Sequence, residues 1–327
     1  MRVGIIGLGN FGTAMANLVA NNGHEVIGWE YHEAVVDEIN TQHTNQRFLA
    51  DVPLHHNLTA TTQIETGVQE REAIFIAIPT VFIHATLQPL RNQIADNAVL
   101  INLAKGIDRR SGLTAFQIIT NIFPHHRRVM LSGPSIANEF ARGLPTVVVA
   151  AGEHEHDLWL TAQLLDNDHF RVHFSDDAIG VELGGILKNI YAIGLGMFDG
   201  QSLQSVNLRA VYLTAALAEM ARIGQGFGAS IETFLYLSGV GDLLATALSE
   251  HSHNRRMGEL LAQGLHIADI QDRMGVLPEG YTTLQSIRAV AEKRRISIPL
   301  ATGLWQVIQG TLSTETFVQG LIKGFIE

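Results

Sequence analysis

The chain has 327 residues, which is long for a single hydrophobic core and predicts two domains. A formal net charge of -10 argues against a nucleic-acid partner, so any anionic ligand must be held by local positive charges. The absence of cysteine excludes disulfides, a thiolate nucleophile and cysteine zinc sites. The sequence shows neither a signal-peptide pattern nor an uninterrupted apolar run of membrane-spanning length. We therefore expect a globular cytoplasmic protein without membrane insertion.

The first thirty residues carry a dinucleotide-binding pattern. A short apolar strand over residues 2–6 is followed by the glycine turn Gly7-Leu8-Gly9-Asn10-Phe11-Gly12 and by helical spacing over 13–19. A second strand over 25–29 ends at the acidic Glu30. Strand, glycine turn, helix and acid in this order predict a pyrophosphate at the helix N-terminus and ribose hydroxyls on Glu30. The alternative is a glycine turn that binds nothing.

Regular alternation of strands and helices continues to about residue 175. Predicted strands lie at 73–78, 98–102, 128–131, 146–150 and 170–174, and predicted helices at 32–41, 81–94 and 113–122. Continuous apolar strands of this kind indicate a doubly wound parallel sheet, whose ligands lie beyond the carboxyl ends of the strands. Lys105 follows such a strand end and is therefore a candidate site residue. We predict a dinucleotide-binding domain at 1–176 and an all-helical substrate and catalytic domain at 177–327.

The most unusual pattern of the second half lies in its first helix. Adjacent Gly184 and Gly185 each cost about 1 kcal/mol against alanine inside a helix. Helical spacing places them on one face with Lys188, where a flat ring could approach and meet one amine. The alternative is close helix packing with Lys188 extending to the surface.

Two further polar clusters follow along the chain. Asp242 lies in a glycine-flanked segment and is suited to orienting a lysine. Ser252, Asn254 and Arg255 are suited to binding a phosphate or hydroxyls. Each cluster taken alone is equally typical of a capping turn or a solvated basic corner.

Together these motifs resemble the glycerol-3-phosphate dehydrogenases of the bacterial, NAD(P)-dependent type. The resemblance is carried by Gly7 to Gly12, Leu103-Ala104-Lys105-Gly106, Leu131 to Ser135, Gly180 to Asn189, Gly241-Asp242-Leu243, Asn254-Arg255-Arg256 and Glu279-Gly280. It implies hydride transfer between a nicotinamide cofactor and sn-glycerol 3-phosphate or dihydroxyacetone phosphate. It also implies a homodimer that binds a small phosphorylated substrate.

The resemblance assigns roles by matching position. It implies that Lys188 is the catalytic proton donor and acceptor, supported by Lys105 and Asp242. The implied substrate-binding residues are Lys105, Gly133, Ser135, Asn189, Asp242, Thr246, Ser252, His253, Asn254 and Arg255. The implied cofactor-binding residues are Gly7, Gly9, Asn10, Phe11, Gly12, Glu30, Lys105, Ala137 and Glu279.

Two departures from the family pattern bear on specificity. His253 stands where the family usually has an arginine that binds the substrate phosphate, which predicts weaker phosphate recognition unless Arg255 takes its place. Glu30 and Tyr31 stand where NADP-using members often have a basic residue. Because a carboxylate repels the 2'-phosphate of NADP and suits a free hydroxyl, we predict that NAD(H) is preferred.

Three alternatives remain open at this point. The same chemistry could act on another small polyol phosphate or hydroxy acid, or the chain could be a non-catalytic NAD(H)-sensing paralogue. The third alternative is a metal site, which the fifteen histidines suggest. The closely spaced histidines are His55 with His56, His125 with His126, His154 with His156, and His251 with His253. Pairs without a third ligand at fixed spacing are typical of surface residues, so we expect no metal.

Overall fold

The computed structural model describes residues 1–202, 205–249 and 252–324. His251 therefore lies outside the described residues. The strands are β1 (Arg2–Ile6), β2 (Glu25–Trp29), β3 (Leu58–Thr61), β4 (Ala73–Ile76), β5 (Val99–Asn102), β6 (Arg127–Ser132), β7 (Thr146–Ala151) and β8 (Phe170–Ser175). The helices between them are α1 (Asn10–Asn21), α2 (Glu33–Gln42), α3 (Ile64–Val68), α4 (Thr80–Leu87), α5 (Ala115–Ile122), α6 (Ala137–Phe140) and α7 (Glu155–Leu165).

The eight strands form one sheet in the order β3-β2-β1-β4-β5-β6-β7-β8. Its first six strands have the order of a doubly wound dinucleotide-binding sheet, in which the strand order reverses between β1 and β4. Ligands of such sheets bind beyond the carboxyl ends of the strands at this reversal. The fold therefore places the glycine turn after β1, Glu30 after β2 and the Lys105 segment after β5 along the ligand-binding edge of the sheet.

The central strands β4 and β5 are almost entirely apolar and fully buried because both faces of the sheet are covered there. Alternate residues of one strand belong to different core clusters: Phe75 packs in one cluster, and Ile74 and Ile76 in the other. The same alternation separates Ile101 from Leu100 in β5. Burial on both faces explains why the sequence shows continuous apolar runs here instead of a polar-apolar alternation.

The sheet differs from the sequence-based prediction in two respects. The pair β6 and β7 is antiparallel, whereas the other strand pairs are parallel. The connection between these two strands holds only the four-residue α6, so no full crossover helix carries the chain back to a parallel start. The sequence interpretation also misses β3 and α3, which are four and five residues long and too short for a periodic pattern.

From residue 178 onward the described residues form helices only, as predicted. They are α8 (Ala178–Gly200), α9 (Val206–Gly226), α10 (Ile231–Phe234), α11 (Asp242–Leu248), α12 (His253–Ala262), α13 (Ile267–Met274), α14 (Glu279–Arg294), α15 (Pro299–Ile308) and α16 (Thr314–Gly324). A π-helical turn, Leu237–Gly241, precedes α11.

The chain divides into two compact units. The first contains Met1–Asp108 and Leu113–Glu182, and the second contains Arg109–Gly112 and Leu183–Glu327. The sequence analysis places the boundary between the two functional domains at residues 176 and 177, and this boundary stays a prediction.

A buried carboxylate connects three helices of the second unit. Glu219 of α9 accepts hydrogen bonds from the Tyr191 hydroxyl at 3.0 Å and from the backbone N–H groups of Leu300 and Ala301 at 2.8 and 2.7 Å. The Tyr212 hydroxyl also donates to the Tyr191 carbonyl at 2.8 Å. Helix α8 is thereby joined to α9 and to the N-terminus of α15.

Two helical stretches are long and apolar enough to cross a membrane, Ala178–Gly200 and Ile231–Leu248. In the first, 83% of the apolar window is buried, as in the core helix of a folded domain. In the second, 28% is buried, and the π-helical turn interrupts the α-helix. Length and composition alone are weak evidence for insertion, and its absence stays a prediction.

Candidate active site

The three glycines of the first turn meet three different surroundings. Gly7 has φ +100°, a left-handed conformation that favours glycine, and an added Cβ would lie 2.7 Å from Ile78 Cγ2. A Cβ on Gly12 would overlap the Gly7 carbonyl oxygen, so α1 packs against the turn only because this residue is glycine. A Cβ on Gly9 meets nothing within 4 Å. Gly9 thus leaves open space beside the first N–H groups of α1, which fits a dinucleotide pyrophosphate.

Glu30 follows β2 and is buried, with 4% of its side chain exposed. Its Oε1 accepts two hydrogen bonds from His32, one from the backbone N–H at 3.1 Å and one from ring Nδ1 at 2.6 Å. The carboxylate is therefore held in place at the strand end where the sequence predicts ribose binding. His32 was not among the predicted site residues. An imidazole two positions after the fingerprint acid is the signal that could have identified it.

The loop after α2 is fastened to the glycine turn. Asn10 Nδ2 donates to the Phe48 carbonyl at 2.7 Å and to Asn138 Oδ1 at 3.0 Å. Phe11 packs edge-on against Phe140 at 5.7 Å between ring centroids. Ala137, the first residue of α6, is buried. Asn10 and Phe11 thus have structural contacts of their own, beside any contact with a cofactor.

The segment that carries Lys105 is held by the residue that ends β5. Asn102 Nδ2 donates to the Ala104 carbonyl at 3.1 Å, and Ala104 N–H donates back to Asn102 Oδ1 at 3.0 Å. Lys105 itself is half-buried. A Cβ on Gly106 would lie 2.6 Å from the Thr80 hydroxyl, so glycine permits this close approach. The Asn102 side chain, to which the sequence interpretation gives no role of its own, therefore fixes the backbone immediately before Lys105.

Gly133 and Ser135 lie in the loop that follows β6. Gly133 has φ +119°, and the Ser135 hydroxyl donates to the Gly133 carbonyl at 3.0 Å. This bond shapes the turn and gives the serine a local structural role.

A buried carboxylate also anchors the start of α5. Glu182 accepts from the Thr114 hydroxyl at 2.5 Å and from the Phe116 N–H at 2.8 Å. Burial raises the pKa of Glu182 to about 7, and the two hydrogen bonds act in the opposite direction. The Thr114 N-cap in turn forms a β-bridge with Ile107, two residues after Lys105.

In the second unit, Lys188 forms an ion pair with Asp242. The Asp242 side chain is 1% exposed and the Lys188 side chain 15%, so the pair is largely shielded from water. A Cβ on Gly184 would overlap the Ser238 carbonyl, which brings α8 against the π-helical turn before Asp242. Position 184 therefore requires glycine because α8 packs closely against this turn. That packing brings the lysine and the carboxylate together, as the sequence predicts for Asp242.

Three predicted site residues form a hydrogen-bonded chain beside α14. Asn254 Nδ2 donates to Asn189 Oδ1 at 3.1 Å, and Asn189 Nδ2 lies 3.5 Å from Glu279 Oε2. The chain closes through the Gly280 N–H, which donates to Asn254 Oδ1 at 2.9 Å. A Cβ on Gly280 would meet this same oxygen at 2.5 Å, so the close approach needs glycine. Asn189 follows Lys188 directly, and the network therefore fixes the α8 backbone beside the lysine.

Three further predicted substrate-binding residues lie at the start of α12 or in α11. Ser252 is the N-cap and accepts from the Arg255 N–H at 3.3 Å, while His253 is exposed. The Thr246 hydroxyl donates to the Asp242 carbonyl at 2.8 Å. Ser252 and Thr246 thus each have a local structural bond.

Arg255 is held by hydrogen bonds along its whole guanidinium group. Nε and one terminal nitrogen bind Asp199 Oδ2 at 3.0 and 2.6 Å, and the other terminal nitrogen binds the Ala247 carbonyl at 3.0 Å and the Ser249 carbonyl at 2.5 Å. Arg209 binds the second Asp199 oxygen at 2.7 Å. Asp199, which the sequence interpretation missed, therefore directs Arg255 to a structural role in this conformation. Rotation of Arg255 toward a phosphate would break these bonds.

Among the residues that the structure describes, no group of three or more histidine, aspartate or glutamate side chains is arranged to hold a metal ion. The rings of His55 and His56 pack against each other at 4.1 Å between centroids.

The fold and these side chains define a dinucleotide-binding protein of the Rossmann class with a separate helical unit that carries a shielded lysine-carboxylate pair. The family model for the NAD-dependent glycerol-3-phosphate dehydrogenase N-terminus matches residues 2–158, and that for the C-terminus matches residues 177–319.

Individual proteins agree with these matches. A glycerol-3-phosphate dehydrogenase of Macrococcus caseolyticus that is named for NAD(P)+ is 35% identical over 326 residues, covering 99% of this chain and 98% of the relative. One from Enterococcus faecalis is 36% identical, covering 94% of this chain and 91% of the relative. The crystal structure of glycerol-3-phosphate dehydrogenase from Coxiella burnetii has a TM-score of 0.91 at 31% identity and covers 98% of both chains.

The chain therefore belongs to the NAD-dependent glycerol-3-phosphate dehydrogenase family. Membership confirms the resemblance stated from the sequence, the fold class, the oxidoreductase class and NAD as the family's cofactor. The roles of individual residues stay predictions.

Proposed function

We propose that the chain catalyses the reversible NAD(H)-dependent reduction of dihydroxyacetone phosphate to sn-glycerol 3-phosphate, with Lys188 as proton donor and acceptor. The observation that carries this proposal is the shielded Lys188–Asp242 ion pair in a chain of this family. A surface lysine would have no need of a buried carboxylate partner. A sensor that only binds NAD(H) would have no need of a proton donor.

The lysine supplies the proton that the reaction consumes. In the reduction, Lys188 Nζ gives a proton to the carbonyl oxygen of the substrate, and in the oxidation it takes the proton back from the hydroxyl. When bound, NADH supplies the hydride that the carbonyl carbon receives. Asp242 favours the charged form of the ammonium and fixes its position, because opposite charges attract strongly where water is excluded.

The remaining site residues bind and orient the substrate. Lys105 supplies a positive charge on a segment held by Asn102. Asn189 and Asn254 offer amide groups to the hydroxyls of the substrate, already arranged by their mutual hydrogen bond. We propose that Gly133, Ser135, Thr246, Ser252 and His253 complete substrate binding, and that Ala137 and Glu279 contact the cofactor.

We further propose that NAD(H) is preferred to NADP(H). The support is Glu30, a buried carboxylate that two donors from His32 hold at the end of β2. An ionised carboxylate accepts hydrogen bonds from ribose hydroxyls and repels the additional phosphate of NADP.

A second candidate substrate is favoured by one observation. His253 is exposed and Arg255 is occupied by Asp199, so the arginine that the family usually provides for phosphate has no evident substitute at these two positions. A different small polyol phosphate or hydroxy acid, reduced by the same chemistry, fits this arrangement as well.

We propose a cytoplasmic homodimer. The support is the family resemblance together with apolar side chains that are exposed in the second unit, Leu235, Tyr236, Leu244 and Leu248. Light scattering of the purified chain should give twice the 35.7 kDa of one copy, and a monomer would contradict the proposal.

The function is tested by following NADH absorbance with a set of substrates. We expect dihydroxyacetone phosphate to be reduced with the highest kcat/KM, ahead of unphosphorylated dihydroxyacetone, other ketone phosphates and 2-oxo acids. A different best substrate would establish the alternative chemistry. Binding of NADH without turnover of any of them would establish a sensor.

A further inference from the structure

The Glu30 carboxylate has an arrangement that the family fingerprint does not require. Both donors of His32 bind one oxygen, Oε1, and among the described residues no hydrogen bond reaches the second oxygen, Oε2. The two residues are only two positions apart, so the contact closes a short turn between β2 and α2. One oxygen of the carboxylate is therefore occupied and the other is left for a hydroxyl donor.

The imidazole is itself fixed by neighbouring rings. Its centroid lies 3.8 Å from that of Tyr31 and 6.2 Å from that of Phe48. Phe48 is in turn joined to the glycine turn through Asn10 and carries the guanidinium of Arg47 over its face at 5.1 Å. His32 is thus part of the structure that connects the acid to the pyrophosphate end of the site.

We propose that His32 is a cofactor-specificity residue, which holds the Glu30 carboxylate in the orientation that accepts the ribose hydroxyls of NAD(H). The inference rests on the proposed preference for NAD(H). Two donors on one oxygen limit the rotation of the carboxylate, so His32 keeps the second oxygen in position to accept from a hydroxyl and to oppose a phosphate.

The role of His32 matters for cofactor selection because the loop that contains Phe48 also carries a cation, Arg47. The Arg47 guanidinium lies over the Phe48 ring, which neighbours His32, and a 2'-phosphate within its reach would be attracted, so selection depends on how firmly the Glu30 carboxylate is held in place. Without His32, Glu30 would retain only the N–H of the residue at position 32 as a donor.

Direct binding of NADH and NADPH to the full-length protein, measured by calorimetric titration, tests the inference. We expect His32→Ala to weaken NADH binding by about three- to tenfold, since one charge-assisted hydrogen bond is lost, and to change NADPH binding much less. His32→Asn should restore most of the NADH affinity, because the asparagine Nδ2 can replace ring Nδ1 as a donor. His154→Ala is a matched control, since His154 is also a helix N-cap without a side-chain capping bond and is exposed.

A double-substitution cycle separates this inference from the proposed preference. In Glu30→Gln, we expect His32→Ala to have little further effect, because the charged acceptor is already gone. Equal effects of His32→Ala in both backgrounds, or none in either, would overturn the role of His32. A wild-type protein that binds NADPH as tightly as NADH, with Glu30→Gln unchanged, would instead overturn the proposed preference.

Discussion

Lys188 of α8 is paired with Asp242, the first residue of α11, across 54 positions of the sequence. The pair depends on Gly184, because any larger residue there would collide with the Ser238 carbonyl and move the π-helical turn away from α8. The glycine that is unfavourable for the helix is thus what brings the two charges together.

Removing one partner of this pair should destabilise the protein more than removing both. Asp242→Asn leaves a largely buried ammonium without its counter-charge, which typically costs about 3–5 kcal/mol. We expect the double variant Lys188→Met/Asp242→Asn to lose less stability than Asp242→Asn alone, because no unpaired charge is left buried. Urea unfolding midpoints of the four proteins measure this coupling. Additive losses would show that the two side chains do not interact.

Gly9 and Gly12 should respond in opposite ways to alanine. Gly9→Ala places a methyl group in open space, so we expect an unchanged melting temperature and NADH binding weakened by about tenfold or more, because the methyl group enters the pyrophosphate position. Gly12→Ala collides with the Gly7 carbonyl and should lower the melting temperature. Thermal unfolding without cofactor, followed by NADH titration, distinguishes the two effects. A Gly9→Ala protein with normal NADH affinity would place the pyrophosphate elsewhere.

His253→Arg should improve phosphate recognition. A guanidinium can bind phosphate through two parallel donors, whereas the ring nitrogens of an imidazole point apart, and Arg255 is already bound to Asp199. We expect kcat/KM for dihydroxyacetone phosphate to rise by about tenfold, with unphosphorylated dihydroxyacetone as the control that should not change. An unchanged kcat/KM for the phosphate ester would show that another group already binds the phosphate.

Glu182 should make stability fall as pH rises toward neutrality. Burial raises its pKa to about 7, above the value of 4.5 of an unperturbed glutamate, so the folded state binds the proton more tightly than the unfolded state. The contribution of this group is complete below the lower value and is lost as pH rises through the higher one, by about 3 kcal/mol in total. Glu182→Gln should remove this loss between pH 4.5 and 7.5, as followed by urea midpoints. Glu153→Gln, at an exposed position, should leave the profile unchanged.

Much of the fold could be predicted because it depends on local patterns. The glycine turn, the apolar strands and the helical second half each have a periodic or compositional signal. The short β3 does not, and the predicted strand at β7 carries no local signal of its antiparallel direction, because both features depend on pairing between strands that are distant in sequence. Contacts between individual side chains are the part of the structure that the sequence predicts least. No local pattern links Asp199 to Arg255, or Glu182 to Thr114, since those contacts exist only once the helices have packed.

The central claim is that Lys188 is the proton donor, and the kcat of Lys188→Met with NADH and dihydroxyacetone phosphate tests it most directly. We expect kcat to fall by about a hundredfold or more, the usual contribution of a positioned acid, while the Kd for NADH stays within about twofold. Lys188→Arg should be similarly impaired, since arginine keeps the charge but does not release its proton. A Lys188→Met protein with a kcat within a few-fold of the wild type would contradict the account.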